Sequence, residues 1–299
     1  MGVGTGGVTG HAAHMASDTE IAKLLSHIAA CRTAVLPGER LPLYAGKHHI
    51  GYLKPALAAK LAIAEPGIRL AADRVDMDPS LLPRLNELAA AAGLRVRWEN
   101  FDVREQVEGP SLGILDRGAL PDFGVIGVGV HMNGLVRRAD GTHVWVAKRA
   151  ANKKLDPGKL DHLVAGGVPA GYTPFAALIK EAEEEAGLPE ALAAQARQVA
   201  VFSYNMERPE GLRRDVLYAY DLEVPESFIP HPVDGEVESF ALWPLKQVAE
   251  TLGSTDEFKF NVNLVLIDLL VRESVYNMNE AVILRAALFP PDCALQHEF

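Results

Sequence analysis

Between Asp18 and Pro121 the apolar positions recur mainly with a helical period. Ile21-Ala-Lys-Leu-Leu-Ser-His-Ile28 predicts one helix, and Leu81-Leu-Pro-Arg-Leu-Asn-Glu-Leu-Ala89 predicts a second, entered through Asp78-Pro-Ser80. Between them, Leu43 to Tyr52 has the pattern of a short hairpin, and Leu94-Arg-Val-Arg-Trp-Glu-Asn-Phe101 alternates like a strand. Glycine and proline at Gly109-Pro-Ser and Gly118-Ala-Leu-Pro121 punctuate the end of this region. The pattern then changes. Phe123 to Val130 is an apolar run with glycines, and Thr142 to Lys148 follows across the polar turn Arg138-Ala-Asp-Gly141. A helix is expected over 174–187, then strands at Val199–Tyr204, Val216–Leu222 and Glu236–Leu242, with helices at Leu245–Leu252 and Asn263–Arg272. Strands around one central helix, with a late helix free to cover the other face, predict a mixed sheet between helices. The fold class expected is therefore α/β (α+β). The expected organisation is a glycine-rich flexible leader (1–17), a small α+β domain (18–121), the main domain (122–275) and a C-terminal extension (276–299).

Composition sets the class but not the chemistry. The 299 residues are 48% hydrophobic and 23% charged, enough to bury a core without disulfides. The two cysteines, Cys31 and Cys293, form no Cys-x-x-Cys pair, so neither a disulfide framework nor a cysteine zinc site is expected, and a reduced, cytoplasmic setting fits. The formal net charge of −10 argues against a nucleic-acid polymer or an anionic membrane as partner. No apolar run is long enough to cross a bilayer, and the first residues lack the basic and apolar regions of a signal peptide. A small phosphorylated substrate remains compatible, because a bound divalent cation reverses the local field. Oligomeric state is left open.

The candidate chemistry lies in Gly166-Gly-Val-Pro-Ala-Gly-Tyr-Thr-Pro-Phe-Ala-Ala-Leu-Ile-Lys180-Glu-Ala-Glu-Glu-Glu-Ala-Gly187-Leu. Thr173 can cap the helix, Pro174 suits its first position, and Gly187 suits its end. Phe175, Leu178, Ile179, Ala182 and Ala186 form an apolar stripe, while Glu181, Glu184 and Glu185 share another face at i, i+3, i+4. Anions at a helix C-terminal half are disfavoured by roughly 0.3–1 kcal/mol each, and like charges one turn apart add a few tenths. A generic acidic run would simply face water. One framed by a Gly-Gly loop and a glycine stop, with Lys180 its only cation nearby in sequence, calls for outside compensation, and carboxylate oxygens suit Mg²⁺ or Mn²⁺.

This segment resembles the signature of the Nudix family: a glycine, five residues, a Glu, seven residues, then Arg-Glu-aliphatic-x-Glu-Glu-x-Gly-aliphatic. The match runs Lys180-Glu181-Ala-Glu-Glu184-Glu185-Ala-Gly187-Leu188, with Lys180 in place of the Arg and Tyr172 or Thr173 where the first Glu falls. Leu160-Asp-His-Leu-Val-Ala-Gly-Gly-Val-Pro-Ala-Gly171 resembles the loop of the thiamine-pyrophosphokinase-related Nudix hydrolases. Arg214 to Pro225, Asp234 to Phe240 and Asn261 to Arg272 are also similar to that subfamily, as more weakly are Gly51-Tyr-Leu-Lys-Pro55 and Arg97-Trp-Glu-Asn-Phe101. The resemblance implies a Nudix α/β/α sandwich with a mixed sheet, metal held by Glu181, Glu184 and Glu185, and hydrolysis of a diphosphate. Thiamine diphosphate, or oxidised forms of it cleaved to the monophosphate, is the implied substrate. An oxidised nucleoside diphosphate such as 8-oxo-dGDP is a second possibility, and a non-hydrolytic Nudix-fold sensor a third.

Further candidates surround this segment. Glu236 and Glu238 alternate on an expected strand, and Nudix enzymes often add a carboxylate from there as ligand or base, Glu236 first; Glu184, Glu181 and Glu236 are thus the catalytic candidates. Arg213, Arg214 and Lys148 (with Arg149) are candidates for gripping phosphate, beside Gly166 and Gly167 of the loop. His162 is read as a solvated loop histidine in preference to a substrate contact, His48 and His49 as structural, and Trp98 and Trp243 as core residues in preference to stacking platforms. The N-terminal domain is expected to shape the substrate pocket.

Overall fold

In a computed structural model, residues 16–290 are described; most of the leader and Cys293 lie outside them. The chain opens with helix α1 (Asp18–Ala30), capped by Ser17. A small sheet follows, made of β1 (Leu41–Ala45), β2 (His48–Leu53), β3 (Ile68–Leu70) and β4 (Val75–Met77) in the order β2-β1-β4-β3, with α2 (Pro55–Ala64) between β2 and β3. The hairpin expected at 43–52 is the β1–β2 pair.

Two expected elements come out differently. The helix expected at 81–89 starts as a 3₁₀ segment over Pro79–Arg84 and continues as α3 (Leu85–Ala91). Pro83 sits at the change, where its missing N–H removes a helical hydrogen bond. The strand expected over 94–101 begins only at Asn100, as β5 (Asn100–Val103), paired with β6 (Gly113–Asp116). Upstream, the N–H groups of Arg97 and Trp98 donate to the Asp116 carboxylate at 2.8 Å each, so a side chain takes the donors that a sheet ladder would use. The core of this region runs from Leu43 to Val125 and includes Phe101, Leu115 and Phe123, the last in α4 (Leu120–Phe123).

The larger sheet has the order β11-β12-β7-β8-β13. It comprises β7 (Ile126–Arg138), β8 (Gly141–Arg149), β11 (Arg197–Arg208), β12 (Gly211–Glu223) and β13 (Val237–Pro244). Short strands β9 (Leu160–Asp161) and β10 (Val164–Gly167) pair with β8 and β7. The apolar run after Phe123 is explained by β7, which lies parallel to β12 and in the middle of the sheet, buried on both faces. Its first half pairs antiparallel with β10, Gly167 opposite Gly129, and its second half pairs with β8.

Helices cover both faces. On one side α5 (Pro174–Ala186) and α6 (Glu190–Ala193) pack over Val130, Met132 and Leu222. On the other, α7 (Leu245–Ser254), α8 (Val262–Arg272) and α9 (Met278–Leu288) pack over Phe202, Leu217 and Ala219. This is the mixed α/β sandwich. Leu24, Ile28 and Cys31, at the N-terminal end of the chain, enter that second helical core, as do Leu284 and Leu288 of α9. The segments assigned from sequence to an N-terminal domain and a C-terminal extension therefore both contribute a helix to the main sandwich.

Candidate active site

Helix α5 begins as its sequence dictates. The Thr173 side chain accepts from the Ala176 N–H at 3.1 Å, and Pro174 occupies the first turn. It ends at Gly187, whose φ of +61° is left-handed and whose missing side chain leaves room for the His231 ring. The buried stripe is Ala177, Leu178, Ala182 and Ala186, mostly small, whereas Phe175 is 39% exposed. Small side chains let the helix approach β10 closely. A Cβ added at Gly166 would lie 2.4 Å from Cγ and Cδ of Glu181, and one at Gly167 would meet the Phe101 ring at 2.5 Å. The Gly-Gly pair thus admits a carboxylate on one side and an aromatic ring on the other.

The three carboxylates share a helix sector but not an environment. Glu185 is 6% exposed, accepts from the Ala165 N–H at 2.8 Å, and its carboxyl is driven well above the usual range by burial. The charged neighbours that reinforce this are themselves acids: Glu181, Asp161 and Glu236. Glu181 has a side chain only 15% exposed, and burial, partly opposed by Lys180, pushes its carboxyl up to about 7. Glu184 is 46% exposed and hydrogen-bonded to Lys180, whose ammonium also stands 3.7 Å from Glu181. Two buried carboxylates whose charge the protein leaves largely uncompensated, with a third one turn away, are a donor set that fits a hard divalent cation.

Above Glu181 opens a cavity of about 580 Å³. Its lining carries seven basic side chains (Arg97, Arg117, Arg149, Lys153, Lys154, Arg213, Lys259) and four acidic ones (Glu99, Glu181, Asp234, Glu236). In a chain of net charge −10, a locally positive wall facing a carboxylate floor suits a polyanion carrying a metal. The cavity is shared between regions: Val96 to Glu99 and Arg117 come from the first.

The residues singled out from sequence fall unequally around this cavity. Glu181, Glu236, Arg213, Gly166 and Gly167 line it; Glu184, Glu185, Arg214 and Lys148 do not. Glu236 is hydrogen-bonded to Lys153; burial alone would raise its carboxyl, but that ammonium wins and holds it below the ordinary value. Glu238 does not share that placement, because a bulge between Val237 and Ser239 breaks the alternation; it pairs with Lys148 at 2.8 Å on the surface. Arg213 donates to Asp215 at 2.8 Å, while Arg214 lies over the Tyr52 ring, 5.4 Å from its centroid, joining the two sheets.

Two readings of other residues change. His162 is not solvated: its ring is fully buried, 2.8 Å from the His131 ring through their Nδ1 atoms. Trp98 is not in the core but 93% exposed, whereas Trp243 packs against Phe258 as expected. Cations from the loop after β8 and from Lys259 are also present that the motif gave no sign of; the Lys153-Lys154 pair before the Gly-Gly loop was the available signal.

His131, Asp161 and His162 form a second group of donors, all within 4.8 Å of one another. Here the charge is already balanced. Asp161 pairs with Arg149 at 2.7 Å and lies 3.5 Å from Lys259, and burial keeps both imidazoles neutral by lowering their pKa. Two fixed cations beside the only carboxylate make this group a poorer cation site than α5.

Residues 129–263 match the family model described as the NUDIX domain. Over 177 residues the chain is 47% identical to Nudix hydrolase 20, chloroplastic, of Arabidopsis thaliana, covering 59% of this chain and 47% of that relative. Nudix hydrolase 24, chloroplastic, of the same plant is 43% identical over 180 residues, covering 60% and 49%. The chain thus spans about half the length of the curated relatives it matches. Among solved structures, DR0079 from Deinococcus radiodurans aligns with 64% of this chain and 100% of its own, at 18% identity and a TM-score of 0.39. The matched segment, residues 129–263, contains the Gly166-Gly167 loop and helix α5.

Proposed function

We propose that the chain is a divalent-metal-dependent pyrophosphohydrolase that cleaves a diphosphate borne by a heterocyclic small molecule, with thiamine diphosphate or its oxidised analogues as substrate and the monophosphate as product. The observation that carries this reading is the placement of Glu181, its carboxyl raised by burial, on a cavity with a basic wall, with the buried Glu185 one turn along the same helix. The name of the two plant relatives, Nudix hydrolase, supports it.

In this reading Glu181, Glu184 and Glu185 hold Mg²⁺ or Mn²⁺. The bound ion supplies charge neutralisation on the diphosphate and lowers the pKa of a water. The chain's own residues do the rest. Arg213 and Arg117 face the phosphate oxygens from the wall, where guanidinium forks match them. Glu236, kept ionised by Lys153, accepts the proton of the attacking water. Gly166 leaves the Glu181 carboxylate its place beside β10. Phosphoryl transfer asks mainly for such positioning and charge stabilisation.

The test is phosphate release from a panel of diphosphates in Mg²⁺: thiamine diphosphate, oxythiamine diphosphate and 8-oxo-dGDP. Release from the thiamine compounds well above 8-oxo-dGDP is expected. No turnover of any of them, or unchanged turnover in Glu181→Gln, sinks the enzyme reading; preference for 8-oxo-dGDP sinks the substrate.

A further inference from the structure

Trp98 combines three features that packing alone does not explain. Its indole is 93% exposed, so it contributes almost no buried apolar surface. Its φ is +61°, a left-handed conformation that a bulky side chain rarely adopts. And its backbone is held there deliberately: the buried Asp116 carboxylate accepts from the N–H groups of Arg97 and Trp98 at 2.8 Å and from that of Gly118 at 2.7 Å. The clamp is itself supported, since the Asp116 N–H donates to the Asn86 side chain at 2.6 Å. Strain that the surroundings over-determine is characteristic of ligand clamps.

The strained residue stands on the lining of the cavity that contains Glu181. A flat aromatic face at one part of the wall and guanidinium and ammonium groups at another match a molecule with a planar ring at one end and phosphates at the other. We infer that Trp98 is the platform on which the heterocycle of the substrate stacks, a role that rests on the pyrophosphohydrolase reading. The first region of the chain then supplies ring selectivity, while the NUDIX domain supplies the carboxylates. A separate aromatic cavity of about 400 Å³, lined by Tyr172, Tyr218 and Tyr220, is the competing place for a ring, but Glu181 does not line it.

Two measurements test the assignment. In Mg²⁺, kcat/KM is compared for thiamine diphosphate and 8-oxo-dGDP against isopentenyl diphosphate, which has no ring. Trp98→Ala is expected to lower the preference for ring-bearing over alkyl diphosphates about tenfold, through KM rather than kcat, and Trp98→Phe to keep most of it. An equal loss on all three substrates, or a preference lost in Tyr218→Ala but kept in Trp98→Ala, overturns the inference. The second measurement needs no turnover: quenching of tryptophan emission by thiamine diphosphate or 8-oxo-dGDP. Quenching is expected in the wild type and absent in Trp98→Phe, which keeps Trp145 and Trp243. Quenching that survives in Trp98→Phe, or none in the wild type, also overturns it. If nothing on the panel is hydrolysed, the enzyme reading fails while quenching still decides the fate of the platform.

Discussion

The floor and the rim of the cavity are built on opposite principles. The floor is local in sequence: the Gly-Gly loop and Glu181 line the cavity, and the Thr173 cap, Glu184, Glu185 and the Gly187 stop belong to the same loop and helix. The rim is assembled from distant pieces, with Trp98 held by Asp116, Arg117 beside the Phe101 ring, Lys153 after β8 and Lys259 before α8. On the floor the unfavourable feature is electrostatic, namely buried carboxylates with acidic neighbours. On the rim it is conformational and hydrophobic, an exposed indole on a left-handed backbone. In the proposed reading each kind of strain belongs to its own ligand part, metal and phosphate at the floor, ring at the rim. The two should therefore fail separately under mutation.

The largest effect belongs to the floor. Glu181→Gln keeps the shape of the side chain against Gly166 but removes a charge. With several kcal/mol of charge stabilisation at stake, turnover should fall about 10³-fold or more, and calorimetric Mg²⁺ affinity should fall with it. A variant that lost turnover while binding Mg²⁺ as before would detach Glu181 from the metal. The pH response comes next. The Glu181 carboxyl sits at about 7 in the folded chain against an ordinary 4.5, so between these values the folded state keeps a proton that the unfolded chain has lost. Without metal, stability should therefore fall as pH rises through this window, by on the order of 3 kcal/mol in total, and level off above it. Glu185 is shifted in the same direction. Because a cation binds the ionised form, Mg²⁺ should raise Tm more at pH 8 than at pH 5. An equal rise at both would mean that buried carboxylates are not where the metal goes.

The same contrast decides what could be read beforehand. The α5 motif was legible because spacing along one helix fixes which residues share a face, and capping residues mark its ends. How deep each carboxylate lies was not, since that depends on Gly166 and Ala165 of another strand. Strands β7, β8, β11, β12 and β13 were legible as apolar or alternating runs, whereas the short β9 and β10 were read as part of the loop. The stretch 94–99 was misread as a strand, because nothing in its alternation reveals that Asp116, far along the chain, takes its N–H groups. Trp98 was assigned to the core for the same reason: a tryptophan in an alternating run is normally buried. Glu236 and Glu238 were both candidates by alternation, Glu236 first, and the bulge that separates them is invisible in composition.

The Asp116 clamp offers a rim test of intermediate size. Asp116→Ala removes an acceptor shared by three N–H groups, and hydrogen bonds to a charged acceptor contribute about 1.5–3 kcal/mol each in favourable cases. Allowing for water reaching the loop, a loss of about 2 kcal/mol in denaturant unfolding is expected. Mg²⁺ affinity should stay close to wild type, because the Asp116 carboxylate bonds to Arg97, Trp98 and Gly118 and not to the α5 carboxylates. A fall in Mg²⁺ affinity as large as that in Glu181→Gln would show that floor and rim are one cooperative unit.

The smallest effect is expected at Lys148, a residue that the sequence nominates for phosphate but that the fold turns to the surface. Its ammonium sits 2.8 Å from Glu238, both side chains are about half exposed, and neither lines the cavity. Exposed pairs of this kind contribute roughly 0–1 kcal/mol and are screened by salt. Lys148→Ala should therefore change stability by no more than about 0.5 kcal/mol and kcat/KM by less than about twofold. Arg213→Ala, which removes a buried guanidinium from the cavity wall itself, should raise KM for every diphosphate on the panel, ring-bearing or not. If Lys148→Ala raised KM as much as Arg213→Ala, the phosphate would have to lie along the β8–β13 edge instead of over Glu181, and the division into carboxylate floor and aromatic rim would have to be redrawn around that edge.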